Sequence, residues 1–215
     1  VLRASHPTNH KTTKELVMAY QFNGADILAP LKITSNEPTF EMTTVSLKTQ
    51  RASQGAQRWE LTFKTATSAS TEAEAILGAV EGITNTSTMV MPQLPSVAAG
   101  NTATASQVIS ANVAAGLSAV TIVSDGIILK GSFIKFNNHD KLYMVTADVA
   151  ASVASAPVSV SIYPSLRSAV TTSDTLRTGS GAVLTYYRSI DNTMGITFTD
   201  GILSNAGSIS LIEAL

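Results

Sequence analysis

Cysteine is absent from this chain of 215 residues. Thiol nucleophiles, thiolate metal sites and disulfides are thereby excluded, and the absence leans toward assembly in the cytosol. Charge is nearly as scarce. Charged side chains make up 13% of the chain, and 14 basic against 15 acidic residues leave a formal net charge of −1. No basic field exists to collect phosphates, so nucleic acid is not an expected partner. With 44% hydrophobic residues the chain also lacks the signature of disorder. Long apolar runs are missing: none approaches the roughly 18 residues of a membrane span. The stretch VLRASHPTNHKTTKE at residues 1–15 has no apolar signal core. A soluble chain without direct membrane insertion is expected. Aromatics are few, at 6%, with a single tryptophan.

What is abundant is hydroxyl. The chain carries 25 Ser and 27 Thr among many Ala, Val and Ile, a mixture that suits strands with one dry and one hydroxylated face. Leu16 to Phe22 reads as a strand ended by the turn dipeptide Asn23-Gly24. Ile27 to Ile33 is interrupted by Pro30, which predicts an edge strand. In Thr39 to Leu47, Phe40 and Met42 alternate before the apolar phase slips to Val45 and Leu47, as at a bulge or a twist. Lys48 to Arg58 reads as a turn. Trp59, Leu61 and Phe63 then alternate with Glu60, Thr62 and Lys64, so the tryptophan is expected in a core. Thr71 with Glu74 forms a capping box ahead of an apolar stripe from Ala73 to Val80, predicting a helix over 71–81. Met89-Val90-Met91 is a short strand between prolines, and Ser96 to Ala105 is a small-residue connector. Further strands follow at Val108, at Val120 to Val123, at Val183 to Tyr187, at Gly195 to Phe198 and at Ser208 to Ile212. The polar run Thr171 to Gly181 reads as a second connector.

No motif in the chain sets catalytic or metal-ligating side chains at a working spacing. His6 and His10 lie four apart, but Pro7 argues against the helix that would bring them together. His139 stands in a turn beside Asp140, with no G-x-S-x-G elbow to complete a hydrolase triad. The carboxylates are scattered, with neither a calcium loop nor H-E-x-x-H. Gly179-Ser180-Gly181 lacks the rest of a phosphate loop, and Asn85-Thr86-Ser87 is a bare glycosylation pattern. No catalytic, cofactor-binding or metal-binding residue is therefore expected, and interface residues are not assignable from alternation alone.

The most structured stretch runs from Gly131 to Val170. Phe133 to Phe136, Leu142 to Val145 and Val158 to Tyr163 read as a hairpin and a third strand, with Asn137-Asn138 supplying the turn. Together with Gln54 to Leu61, the helix at 71–81, Met89-Val90-Met91-Pro92 and the ending SISLIEAL, this stretch resembles the distal tail and baseplate hub proteins of tailed bacteriophages. The resemblance implies a mainly β fold. Residues 1–98 with 172–215 would form a β-sandwich or barrel-like core with one α-helix, and 107–171 a smaller inserted β domain. It further implies a non-enzymatic virion structural protein without cofactors, assembled in the host cytoplasm. Its partners would be other copies of itself, in a ring-like homo-oligomer (hexameric by that likeness), together with tail tube, baseplate, hub or fibre proteins. The competing reading is a glycan- or receptor-binding β module of a tail fibre or adhesin. That reading requires an exposed aromatic face, for which Tyr20 and Tyr186-Tyr187 are the candidates.

Overall fold

A computed structural model describes residues 17–43, 45–53, 55–66, 86–189, 197–199, 202–205 and 208–215. The expected helix over 71–81, His6, His10 and Asn85 lie outside the described residues. In chain order the elements are β1 (Val17–Phe22), β2 (Ala25–Asn36), β3 (Thr39–Thr43), β4 (Thr49–Ser53), β5 (Arg58–Thr65) and β6 (Ser87–Val90). A short helix α1 (Pro95–Gly100) leads to β7 (Ser106–Ile109), β8 (Ala119–Val123), β9 (Phe133–Phe136), β10 (Leu142–Val145), β11 (Val158–Tyr163) and β12 (Thr175–Thr178). A single 3-10 turn, Gly179–Gly181, precedes β13 (Val183–Arg188), β14 (Thr197–Thr199), β15 (Ile202–Asn205) and β16 (Ile209–Glu213).

The chain is mainly β, a sheet layered against a closed barrel, with one short helix among the described residues. The sheet has the strand order β1-β2-β5-β16-β13-β6, and β7 to β12 close into the barrel in the order β10-β11-β8-β7-β12-β9. The chain leaves the sheet after β6, builds the barrel, and returns through the 3-10 turn to pair β13 beside β6. The last strand, β16, fills the place between β5 and β13. Among the described residues, no helix is long and apolar enough to cross a membrane.

Alternation explains most of these elements. Trp59, Leu61 and Phe63 on β5 are buried, as are Ile209 and Leu211 on β16 and Leu184 and Tyr186 on β13. Strands β9 and β10 are different, because both faces are covered. Ile134, Phe136, Tyr143 and Val145 fill the barrel, while Phe133 and Leu142 join the core of the sheet. A strand covered on both sides reads as a near-continuous apolar run, which is why FIKF and LYMV stand out in the sequence.

Several local expectations are corrected. Pro30 does not mark an edge: β2 lies between β1 and β5. The proline is accommodated because the β2–β5 register shifts between Leu28 and Lys32, a break at which no ladder donor is needed. The slip after Met42 is not a bulge, since β3 ends at Thr43 and Val45 and Leu47 occupy the turn of a hairpin. Its return strand, β4, lies within the stretch expected as a plain turn. The connector expected at Ser96 to Ala105 begins as α1, with Pro95 in its first turn. The polar run from Thr171 contributes β12, which pairs with both β7 and β9 to complete the barrel.

Candidate functional site

Two features stand out from the packed body: an exposed hairpin, and a cleft where sheet meets barrel. The hairpin is β3–β4. Its strands pair with each other and with no other strand among the described residues. The register places Phe40 opposite Ala52 and Met42 opposite Gln50, so these four share one face. Glu41 and Arg51 pair on the other face at 3.0 Å. That ion pair is solvated and adds little. Phe40 is 67% exposed and Met42 64%, while Val45 and Leu47 at the turn are also open to solvent. Leu47 is moreover held at φ 61°, in the left-handed region that a leucine seldom adopts. A two-stranded hairpin with one apolar face is marginal in water and needs something to cover it. The sheet also ends in two outer strands, β1 and β6, each with a strand on one side only among the described residues. Such edges can accept a further strand.

At the junction, Trp59 is the central side chain. Its ring packs edge-on against Phe133 at 5.1 Å and Tyr163 at 6.2 Å, and its Nε1–H donates to the Leu142 carbonyl at 3.0 Å. Beside it Glu213, fully buried, accepts from the Trp59 and Leu142 backbone N–H groups at 3.1 and 2.7 Å and from Lys141 Nζ. One carboxylate thus ties β5 and β16 of the sheet to β10 of the barrel. Burial lowers the Lys141 pKa from its ordinary value, against the pull of Glu213. The sequence held a signal for this cluster. Glu213 falls in phase with Ile209 and Leu211, on the face of β16 that is otherwise apolar.

His139 has a structural environment. Its ring stacks on Phe136 and meets Tyr143 edge-on. Arg167 N–H donates to the Tyr143 phenol oxygen at 2.9 Å, leaving the phenol O–H to donate to His139 Nε2 at 2.8 Å. Nδ1–H then donates to Asn138 Oδ1 at 2.6 Å. Every hydrogen of this neutral tautomer has an acceptor, and burial accordingly holds the His139 pKa below its ordinary 6.5. Burial also pushes Tyr143 up to about 12, keeping the donating proton in place. Asp140 turns away to Lys135 at 2.7 Å and to Thr185. Among the described residues no serine hydroxyl or carboxylate hydrogen-bonds the imidazole; its partners are Asn138 and Tyr143. Nor do three His, Asp or Glu side chains gather there as a metal site among the described residues.

The aromatic candidates do not share an open face. Tyr186 is buried in the core of the sheet, Tyr187 lies half-buried on the opposite side of β13, and Tyr20 packs partly against the same core. No protein-family model matches the chain, and no curated protein matches it.

Proposed function

We propose that the chain is a virion structural protein of a phage tail, a ring- or collar-forming distal tail or baseplate subunit that links tail tube to baseplate or fibres. The observation that carries this reading is the β3–β4 hairpin: Phe40, Met42, Val45 and Leu47 are exposed, and no other strand among the described residues pairs with the hairpin. A projecting knob that meets a different surface on the next copy makes a heterologous contact, which closes into a ring when the rotation allows. The open edges of β1 and β6 offer strands for such a neighbour to extend. The resemblance of residues 131–170 to tail and baseplate proteins supports the same assignment.

The test is mass by light scattering across a concentration series with negative-stain imaging, on the wild type and on the double variant Phe40→Ser with Met42→Ser. Rings of defined stoichiometry that vanish in the variant, with unchanged circular dichroism, are the expected result. A wild type that stays monomeric throughout and forms no ring on purified tail tubes would overturn the reading. Rings that survive the double substitution would remove the hairpin from the interface.

A further inference from the structure

The six-stranded sheet has β1 and β6 as its outer strands, yet Tyr20 of β1 and Val90 of β6 line one hollow of about 310 Å³. The sheet therefore curls until its two ends face each other across a gap. Phe22 of β1 and Tyr186 of β13 follow the same curl: their rings lie 6.0 Å apart, although β2, β5 and β16 separate the two strands in the sheet. Ala98 of α1 and Ser180 of the 3-10 turn extend the walls. Val90, Ala98 and Ser180 are all exposed, so the hollow opens to the surface. Among the described residues no ionised side chain stands on its walls. The cleft at the junction differs, with Glu37 and Arg167 on its walls, and the hollow beside β7 has Asp125.

The β3–β4 hairpin matches the first of these concavities and neither of the others. Its apolar face carries Phe40, Met42, Gln50 and Ala52, while its charges, Glu41 and Arg51, pair on the opposite face. Seating an uncharged face in an uncharged hollow takes no ion out of water, whereas covering Glu37, Arg167 or Asp125 with it would strand a charge. Within one chain the two surfaces do not meet. No hairpin residue stands on the walls of the hollow, and Phe40 remains 67% and Val90 41% exposed. We propose that the hollow between β1 and β6 receives the apolar face of the hairpin from a second copy of this chain, with Phe40 and Met42 seated against Val90 and Ala98. The inference rests on the ring reading and names the surface that the hairpin meets. Hairpin and hollow are different patches of one molecule, so every copy offers both and the contact runs head to tail.

The experiment uses the absence of cysteine from the chain. Full-length Met42→Cys and Val90→Cys variants are oxidised mildly, each alone and mixed in equal amounts, at concentrations where the wild type assembles. Disulfides are mapped by mass spectrometry. A bond between positions 42 and 90 in the mixture, with little covalent dimer from either variant alone, is the expected result. Ala98→Cys mixed with Met42→Cys is the second pair, should the change on β6 impair folding. Val90→Lys, which would carry an unpaired ammonium into the contact, is expected to raise the concentration for half-assembly at least about tenfold. Two outcomes overturn the inference while leaving the ring reading standing. One is a wild type that assembles with cross-links from position 42 to neither 90 nor 98, bonds between two copies of position 42 included. The other is a folded Val90→Lys variant that assembles like the wild type. A wild type that does not assemble at all, even on tail tubes, overturns the ring reading and this inference with it.

Discussion

At the scale of single residues, the decisive chemistry is burial of ionised groups. Glu213 holds one ammonium and two backbone N–H groups, so its loss strands all three donors, whereas loss of Lys141 leaves the carboxylate two of its partners. Glu213→Leu is expected to cost about 5 kcal/mol and Lys141→Met about 3 kcal/mol, the range for breaking one side of a buried pair. Urea denaturation of the two variants would test the ranking, and equal costs would refute it. His139 gives a pH dependence of definite sign. Its folded-state pKa lies below the ordinary 6.5, so folding favours the neutral ring. The corresponding stability is complete above 6.5 and is lost as the pH falls below it toward the depressed folded value. Denaturation midpoints measured through that window should fall more steeply in the wild type than in His139→Gln. The sequence placed His139 in a turn, and the structure has it between β9 and β10. The sequence did not reveal that Tyr143 would be its partner, because a residue four positions away across a hairpin is brought near only by the register of β9 and β10.

At the scale of elements, periodicity was legible wherever one face of a strand is buried. Trp59-Glu60-Leu61-Thr62-Phe63 shows its alternation openly, and the Asn23-Gly24 turn adopts the two left-handed conformations that the dipeptide favours. It failed where burial no longer governs. Residues of β3 and β4 are exposed on both faces, so Phe40, Met42, Val45 and Leu47 formed a pattern with no core to interpret it. The interrupted β2 misled for the opposite reason: Pro30 sits in an interior strand because a register break spares its missing donor. The hairpin itself makes a prediction. In the monomer, amides of β3–β4 are expected to exchange with solvent faster than those of the six-stranded sheet and the barrel, since no third strand pairs with the hairpin among the described residues. On assembly they should become protected. Hydrogen exchange measured on both forms decides this, and protection already present in the monomer would show that the hairpin is covered within its own chain.

At the scale of the whole molecule, the question is whether sheet and barrel act as one cooperative unit. They are structures of different kinds, an open sheet and a closed barrel, and each has its own buried cluster. Yet the cluster of the sheet includes Phe133 and Leu142, which belong to strands of the barrel. Trp59 joins them through its contact with Phe133 and its hydrogen bond to the Leu142 carbonyl, and the Glu213 network lies alongside. Unfolding the sheet would therefore expose apolar surface of the barrel and leave buried donors unpaired, which couples the two transitions. Trp59→Ala removes the ring contact and the indole donor together, at a cost of about 3–5 kcal/mol for a large buried aromatic. Because the ring spans the junction, that loss falls on the coupling as well as on the sheet. Scanning calorimetry should show a single transition for the wild type. The variant should show two, the higher belonging to the barrel, whose internal cluster of Ile134, Phe136, Tyr143 and Val160 does not include the tryptophan. A variant that still melts in one transition, merely at lower temperature, would mean that the Glu213 network alone couples the layers. Glu213→Leu in the Trp59→Ala background would then be the change that separates them.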